Sequence, residues 1–512
     1  MPNPLAVRPF AFALMLATAL SASASDAPEK NDGSEAFPQG VASGVTSSNS
    51  VLLWTRAPGA ADLTLHVGTE ASFLAPALTG ARKLQVEVGA DEDWTVRVPV
   101  GDLEPGTLYH YRFTALGGET AEGRFRTAPA ADDSALLGMV VGGDLGGQGY
   151  CRRVDRGYSI FRSMLDLAPD LLIANGDMIY ADGVCPARGP DGWVNIPGDF
   201  MSVAAPQMDW TNREQLLESF FGHWRYNRAD PHHRNFLAAV PMLAQWDDHE
   251  VINDFGASWP QWLPNPRRPG YAELVRAGRD ALFWWNPIPR GEDDRIYRSL
   301  RWGKEVEIFI VDSRSYRSYN DLVDRPSNAK TLLGEEQLEW LKDGLAKSDA
   351  TWKIISNDVP LSIPTGSRSF LFGRDSFANG QRSDFSQRTG FESEQVQLLK
   401  FLDGQDIRNV VFVATDVHFA ISLRYDIDMD GDGDSLLMHE FVSGPLSARS
   451  PPTPTQLDPS LQPAILYGEG GVHNYAYLRL VRGGDGAVHL IADVRDEEGQ
   501  PRFGSRVELV PE

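Results

Sequence analysis

The residues most able to do chemistry in this 512-residue sequence stand at the ends of apolar segments. The segments concerned are residues 136–143, 171–174, 241–246 and 409–415. The side chains that follow them are Asp144, Asp177, Tyr180, Asp247, Asp248, His249, Asp416 and His418. Carboxylate, phenolate and imidazole groups that converge from several strand ends on one rim form a site for two metal ions. Their types and spacing therefore predict a dinuclear metal centre.

Each of these residues, taken singly, has an ordinary alternative role. An aspartate after a strand often caps the next helix, and a lone histidine more often makes a hydrogen bond than binds a metal. The joint pattern favours the metal centre, because every member stands at or just beyond the end of a predicted strand. Open α/β sheets place their chemistry at the carboxyl ends of their strands.

The elements that must position these side chains alternate between strand and helix from residue 136 onward. Apolar spacing predicts helices at 157–168, 213–227, 334–348 and 394–405, with further strands at 305–312 and 351–358. The end of the chain returns to strands, at 474–480, 488–493 and 506–510. This alternation predicts a layered α/β core with helices outside, in a catalytic domain that spans residues 136–512.

The region before residue 130 has a different pattern. Short alternating apolar runs separated by turn signals predict an all-β sandwich of the fibronectin or immunoglobulin type over residues 36–130. Tyr109, Tyr111 and Phe113 alternate along one of these runs and are expected in its core. Residues 128–135 are a predicted linker between the two domains.

The N-terminal sequence and the net charge restrict the expected location of the protein and the class of its ligands. Arg8, an apolar stretch and the sequence Ala22-Ser23-Ala24 predict a signal peptide over residues 1–24, followed by a disordered lead at 25–35. We therefore expect an exported protein, periplasmic or secreted, with no transmembrane segment. The net charge of −23 argues against a nucleic-acid partner, and any anion site must be local.

Several motifs in this order resemble those of one enzyme family. They are FPQGVASGVTSSNSVLLWTR, NGDMIYAD, WDDHEV, VDSRSYR, LLGEEQLEWL and ATDVH, and they extend over most of the chain. They resemble the alkaline phosphatase D (PhoD) family of calcineurin-like metallophosphoesterases, which includes phospholipase D-like members. The resemblance implies a small β-sandwich followed by a four-layer α/β/β/α domain, with ferric iron and calcium as the metals.

The resemblance also implies a role for each site residue. Asp177 would bridge the two metals. Asp144, Tyr180 and His418 would complete the iron site, and Asp248, Asn357 and Asp416 would hold the second metal. Oxygen ligands at the second site suit calcium better than zinc. His249 would face the leaving group and either act as general acid or stabilise charge in the transition state, while a metal-bound hydroxide attacks phosphorus.

The two cysteines, Cys151 and Cys185, leave an alternative open. PhoD members typically carry a cysteine ligand near this point of the chain, so the resemblance implies that Cys151, in place of Asp144 or together with it, is a metal ligand. A disulfide between Cys151 and Cys185 is the other interpretation, since two cysteines in an oxidising compartment can pair. The absence of a twin arginine before the apolar stretch is a further departure from the family.

Two further motifs each have a functional and a structural interpretation. Arg314 is a candidate fork for the substrate phosphate, or else a structural partner of a nearby carboxylate. The acidic segment 426–434, DIDMDGDGD, resembles a calcium loop but lacks the glutamate that would complete it. An acidic hairpin tip is the favoured interpretation there.

These observations predict an exported metal-dependent phosphoesterase that acts on small-molecule, lipid or polymer phosphate esters. The sequence does not decide between monoesters and diesters, so a phosphodiesterase or phospholipase D-like enzyme is the nearest alternative. A non-catalytic metal-binding adhesion protein is the alternative from another class. An adhesion protein of this kind would leave His249 without a role.

Overall fold

The computed structural model describes residues 36–512 apart from 60–61, 75–77, 257–268, 292, 321–322, 326, 328, 366–374, 379–389 and 454–456. The predicted signal peptide at 1–24 and the lead at 25–35 lie outside these described residues. Among the helices in the described ranges, none has the length and apolar character needed to cross a membrane.

The chain begins with strands and then alternates strands with helices, as the sequence predicts. The first strands are β1 (Val41–Gly44), β2 (Val51–Arg56), β3 (Leu63–Thr69), β4 (Arg82–Val86), β5 (Thr95–Val100), β6 (Leu108–Thr114) and β7 (Thr120–Arg126). The later strands are β8 (Gly138–Gly142), β9 (Leu171–Asn175), β10 (Met242–Gln245), β11 (Arg298–Trp302), β12 (Val306–Ile310), β13 (Trp352–Ser356), β14 (Val410–Ala414), β15 (Ala420–Ile427), β16 (Leu436–Val442), β17 (Ala464–Glu469), β18 (Asn474–Arg482), β19 (Val488–Asp496) and β20 (Val507–Leu509). The helices are α1 (Glu70–Leu74), α2 (Ile160–Leu165), α3 (Arg213–Arg228), α4 (Pro231–Ala239), α5 (Tyr271–Trp285), α6 (Glu335–Lys347) and α7 (Glu392–Gly404).

The strands form three sheets. One has nine strands in the order β20-β19-β18-β8-β9-β10-β1-β2-β5, and a second has seven in the order β11-β12-β13-β14-β16-β15-β17. Strands β8, β9 and β10 are parallel neighbours in the first, and β12, β13 and β14 are parallel neighbours in the second. The third sheet, β4-β3-β6-β7, contains only strands of the N-terminal region.

The two large sheets stack face to face between layers of helices. Along β9, Leu171 and Ile173 face the core shared by the two sheets, whereas Leu172 and Ala174 face the core that contains helices α2 to α5. A strand that is buried on both faces needs a continuous apolar sequence, which is why 171–174 shows no alternation with polar residues. Helices α6 and α7 cover the outer face of the seven-stranded sheet. The result is the four-layer α/β/β/α arrangement that the family resemblance implies.

The N-terminal strands are joined to the catalytic sheet. Strand β1 pairs in parallel with β10, at Gly44 and Met242, so β1, β2 and β5 extend the nine-stranded sheet. The four-stranded sheet packs against this extension, with Tyr111 and Phe113 in the core between them. One sheet of the expected sandwich is therefore continuous with the catalytic layer. The division of the chain at residues 130–136 stays a prediction.

Trp54 on β2 provides a test of this continuity. Its side chain is buried, its Nε1 donates a hydrogen bond of 2.7 Å to the carbonyl of Trp284, and its ring lies 5.6 Å from that of Trp285. We expect Trp54→Ala to lower the free energy of unfolding by about 3–5 kcal/mol in a denaturant titration, because it leaves a cavity in the core that contains helices α2 to α5. Leu116→Ala, at a position that is 82% exposed, is the control. An unfolding curve unchanged in Trp54→Ala would contradict the joined fold.

Candidate metal centre

The predicted site residues follow the carboxyl ends of strands from both large sheets. Asp144 follows β8, Asp177 follows β9 and Asp248 follows β10, while Asn357 follows β13 and Asp416 follows β14. Direct hydrogen bonds bring the two sets of strand ends together. The side chain of Asn175 donates to the carbonyl of Asn357 at 3.0 Å, and Thr415 Oγ1 donates to the carbonyl of Asn175 at 2.6 Å.

Four of the site residues have a left-handed backbone. The φ angles are +59° at Asp144, +52° at Asp177, +68° at Asp416 and +61° at His418. This conformation costs a non-glycine residue about 1–2 kcal/mol, so neighbouring contacts must hold it in place. Its effect is to turn the chain sharply at each strand end. Strain of this kind, gathered at one place, is typical of functional sites.

Two clusters of candidate ligand atoms share Asp177. In the first, ligand atoms of Asp144, Asp177 and His418 lie within 4.8 Å of one another, and the Tyr180 hydroxyl is 2.9 Å from Nε2 of His418. In the second, atoms of Asp177, Asp248 and His249 lie within the same distance. Asp177 is therefore the residue that would offer a ligand to both clusters.

The His418 ring is oriented with one nitrogen toward the site. Its Nδ1 lies 2.8 Å from the carbonyl oxygen of Arg449, which can only accept, so Nδ1 carries the proton. Burial lowers the pKa of His418 to about 4, so the ring is neutral at ordinary pH. Its Nε2 therefore presents a lone pair toward Tyr180 and Asp144, as in a metal-binding histidine.

Several buried oxygen atoms at the centre have no hydrogen-bond partner among the described residues. They are both carboxylate oxygens of Asp144, one of Asp248 and the amide oxygen of Asn357. Burial, together with nearby negative charges, raises the pKa of Asp144 and Asp177 well above the usual range. Buried unpaired oxygens are costly, and a bound cation would satisfy them. The residues present therefore fit a pair of metal ions.

Asp416 and Asn357 also follow strand ends at this edge, but they are not members of the two clusters. Asp416 is half-buried, and burial followed by repulsion from Asp248 raises the pKa of its carboxyl well above the usual range. The Nδ2 of Asn357 donates to the carbonyl of Val359 at 2.6 Å, which leaves its amide oxygen free to act as a ligand.

Glu250 holds the loops of the centre and is missing from the sequence prediction. Its buried carboxylate accepts hydrogen bonds from the backbone N–H groups of Asp177 and Asp247 at 2.9 Å and of Met178 at 2.7 Å. Burial raises the pKa of Glu250 to about 7, although the three hydrogen bonds act in the opposite direction and lower it. Only its place directly after His249 in the sequence hinted at a role.

Asp182 is the second residue that the sequence prediction missed. Its Oδ1 lies 2.6 Å from Nδ1 of His249, and its Oδ2 accepts from the backbone N–H of Asn253 at 3.0 Å. Burial disfavours a charged imidazole, but Asp182, Asp248 and Asp177 outweigh it and raise the pKa of His249 well above the usual range. The Nε2 of His249 is 3.8 Å from Asp248 and faces the centre.

The structure corrects the assignment of Arg314 as a phosphate fork. The side chain is 0% exposed, and its guanidinium pairs with Asp247, Asp358 and Asp375, with Nε 3.0 Å from Asp358 and Nη1 2.9 Å from Asp375. These carboxylates accept hydrogen bonds from the N–H groups of Arg314, so the guanidinium is directed at them and not at a substrate. The structural alternative, a salt bridge, is the one observed.

The structure also corrects the assignment of Cys151 as a metal ligand. Cys151 and Cys185 form a disulfide across 34 residues. A sulfur in a disulfide carries no thiolate charge and is a poor ligand for ferric iron or calcium. The bond instead ties the loop after Asp144 to the segment that follows Asp182.

The acidic segment 426–434 connects β15 and β16. Asp428 accepts from the backbone N–H groups of Gly431 and Gly433, and Asp403 accepts from that of Met429. Ligand atoms of Asp403, Asp428 and Asp430 lie within 4.8 Å of one another. These turn hydrogen bonds agree with a hairpin tip.

Comparisons with known proteins agree with this geometry. The sequence matches the model of the PhoD-like phosphatase family over residues 140–477 and that of the PhoD-like phosphatase N-terminal domain over residues 21–129. Alkaline phosphatase D of Bacillus subtilis (strain 168) is 26% identical over 445 residues, which cover 80% of this chain and 69% of that protein.

Two solved structures share the fold. The structure of PhoD has a TM-score of 0.73 and 23% identity, and the match covers 94% of this chain and 91% of that chain. The purple acid phosphatase PPD1 of yellow lupin (Lupinus luteus) has a TM-score of 0.56 and 13% identity, covering 92% of this chain and 73% of that chain.

The salt-bridge role of Arg314 gives a stability prediction. We expect Arg314→Gln to lower the free energy of unfolding by about 3–5 kcal/mol, because it leaves buried carboxylates unpaired. Arg276→Gln, which removes an exposed partner of Glu273, should change it by less than about 1 kcal/mol. Denaturant titration of both variants measures this. An Arg314→Gln variant as stable as the wild type but with a raised KM would restore the phosphate-binding role.

Proposed function

Because the chain belongs to the PhoD-like phosphatase family, and is therefore a phosphatase enzyme, we propose that it hydrolyses phosphate esters at a dinuclear metal centre built around Asp177. The observation that carries this proposal is the position of Asp177, which lies within ligand distance of Asp144 and His418 in one cluster and of Asp248 in the other. The alternative of a non-catalytic adhesion protein is set aside by the family membership.

The ligand sets divide by chemistry. On one side of Asp177 stand Asp144, Tyr180 and His418, and the phenolate of Tyr180 suits a trivalent ion such as ferric iron. To the second metal we assign Asp248, Asn357 and Asp416, which offer only oxygen atoms. Calcium prefers such oxygen donors, so we assign iron to the first set and calcium to the second.

The bound metals would supply Lewis acidity, which polarises the phosphoryl oxygens and lowers the pKa of a coordinated water. The protein's own part is to hold the ligands rigidly. Glu250 fixes the backbone of Asp177 through two consecutive N–H groups, those of Asp177 and Met178. The backbone N–H of His249 donates to Asp177 Oδ1 at 2.9 Å, which orients the shared carboxylate.

His249 is placed to give a proton to the leaving group. Asp182 holds the proton on Nδ1 and stabilises the charged ring, so Nε2 can carry a second proton toward the centre. The Tyr180 ring, centred 4.1 Å from that of His249, fixes the imidazole plane. An alkoxide leaves more readily when a positioned acid protonates it, and this gives His249 the role of general acid.

Export of the protein is part of the proposal. The support within the described residues is the Cys151–Cys185 disulfide. Structural disulfides persist in oxidising compartments such as the periplasm or the exterior of the cell.

Replacement of His249 tests the catalytic assignment. We expect His249→Gln to lower kcat on a nitrophenyl phosphate ester about 10²–10⁴-fold, because the leaving group loses its acid. Both metals should remain, as measured by plasma mass spectrometry. His232→Gln, a half-buried histidine at the start of α4, is the matched control and should leave kcat unchanged. Unchanged turnover in His249→Gln, or loss of a metal, would contradict the role.

A pH profile separates the positioning role of Asp182 from a purely structural one. Asp182 raises the pKa of His249, and a general acid loses activity as pH rises through its pKa. Asp182→Asn should therefore shift the alkaline limb of kcat to lower pH. A lower kcat with an unshifted limb would mean that Asp182 only maintains the fold.

A further inference from the structure

Arg449 is an exposed arginine beside the candidate metal centre, and none of the roles proposed above uses it. Within the described part of the chain its guanidinium makes no salt bridge and no hydrogen bond. Arg314 and Arg317, which also lie near the centre, are buried and paired with carboxylates. Arg449 thus offers a free positive charge in a chain whose net charge is −23.

The backbone of Arg449 is fixed to a candidate metal ligand. Its carbonyl accepts the Nδ1 proton of His418 at 2.8 Å, and Ser450 Oγ donates to the carbonyl of His418 at 2.9 Å. Its N–H donates to the side chain of Gln148 at 3.2 Å. The guanidinium therefore extends from a base that is held against His418.

The segment before Arg449 is fixed to the loop of Asp144. The N–H of Ser447 donates to the carbonyl of Asp144 at 3.0 Å, and the N–H of Leu446 donates to that of Gly143 at 2.9 Å. His473 Nε2 lies 3.0 Å from the carbonyl of Ala448 and supports the segment from the other side. Arg449 is thus anchored between two loops that carry candidate ligands of the same metal.

The charge of the proposed centre shows why a free arginine matters there. The proposed ligand sets contain four carboxylates and one phenolate. Their total negative charge equals in size the total positive charge of one ferric and one calcium ion. A centre with no net charge attracts a phosphate dianion weakly. An exposed cation beside the centre adds to that attraction, and among the described residues Arg449 is placed to do so.

We infer that the guanidinium of Arg449 binds the non-reacting oxygens of the substrate phosphoryl group and so favours phosphate monoesters over diesters. A monoester presents a dianionic phosphoryl group, whereas a diester carries one negative charge. A planar guanidinium suits such oxygens and gains more from the second charge. This inference rests on the proposed function and decides between substrate classes that the sequence left open.

The test compares wild type and Arg449→Gln on nitrophenyl phosphate and bis(nitrophenyl) phosphate, with the protein reconstituted in iron and calcium. For the monoester we expect kcat/KM to fall about tenfold, mainly through KM, as the loss of one charge-assisted hydrogen bond implies. For the diester the fall should be much smaller. Arg449→Lys, which keeps the charge, should recover part of the monoester preference.

Titration calorimetry with inorganic phosphate gives a readout that needs no turnover. Arg449→Gln should bind phosphate about tenfold more weakly than wild type, with unchanged metal content. Arg506→Gln is the control, because it removes the same charge near the edge strand β20. Equal losses in Arg506→Gln and Arg449→Gln would overturn the inference, and so would an unchanged monoester-to-diester ratio in Arg449→Gln.

The calorimetry also separates this inference from the proposed function. If the wild type hydrolyses neither ester, the proposed function fails. A tenfold loss of phosphate affinity in Arg449→Gln would then still support the role of Arg449 in binding the anion, and an unchanged affinity would overturn it.

Discussion

The structure depends on holding several buried carboxylates together, although some of their oxygens have no hydrogen-bond partner among the described residues. Asp144, Asp177 and Asp248 are almost fully buried at one edge of the paired sheets, and oxygens of Asp144 and Asp248 have no partner among the described residues. Such a group of like charges repels itself, and burial removes the water that would screen it. The surrounding fold must supply the free energy that holds these carboxylates together. A pair of bound cations would remove the repulsion, and the site would therefore bind them tightly.

That opposing free energy comes from rigid elements on both sides of the centre. The parallel strands set the direction of each chain end, and Glu250 holds the turn at Asp177 against its left-handed backbone. On the other side, Arg314 pairs with Asp247, Asp358 and Asp375 and offsets part of the repulsion that these carboxylates would add. Arg314 therefore supports the centre without contacting a substrate.

Much of this arrangement is predictable from sequence, because strand ends are marked by apolar runs followed by polar residues. Asp144, Asp177, Asp248 and Asn357 could be placed at one edge for that reason. Glu250 and Arg314 could not be assigned, since their roles depend on contacts across loops and sheets that no local pattern encodes. The pairing of β1 with β10 is non-local in the same way, and α4 and α5 were not predicted. For the two cysteines the sequence allowed a ligand or a disulfide, and only their spatial proximity decides.

Asp177 is proposed to belong to both metal sites at once, and the metal content of its variants tests this most directly. Iron and calcium bound to purified Asp177→Asn, Asp144→Asn and wild-type protein can be measured by plasma mass spectrometry after reconstitution. We expect Asp177→Asn to lose both metals, whereas Asp144→Asn loses iron and retains calcium. If Asp177→Asn retains either metal at full occupancy, the shared carboxylate is not a bridge and the dinuclear centre proposed here is wrong.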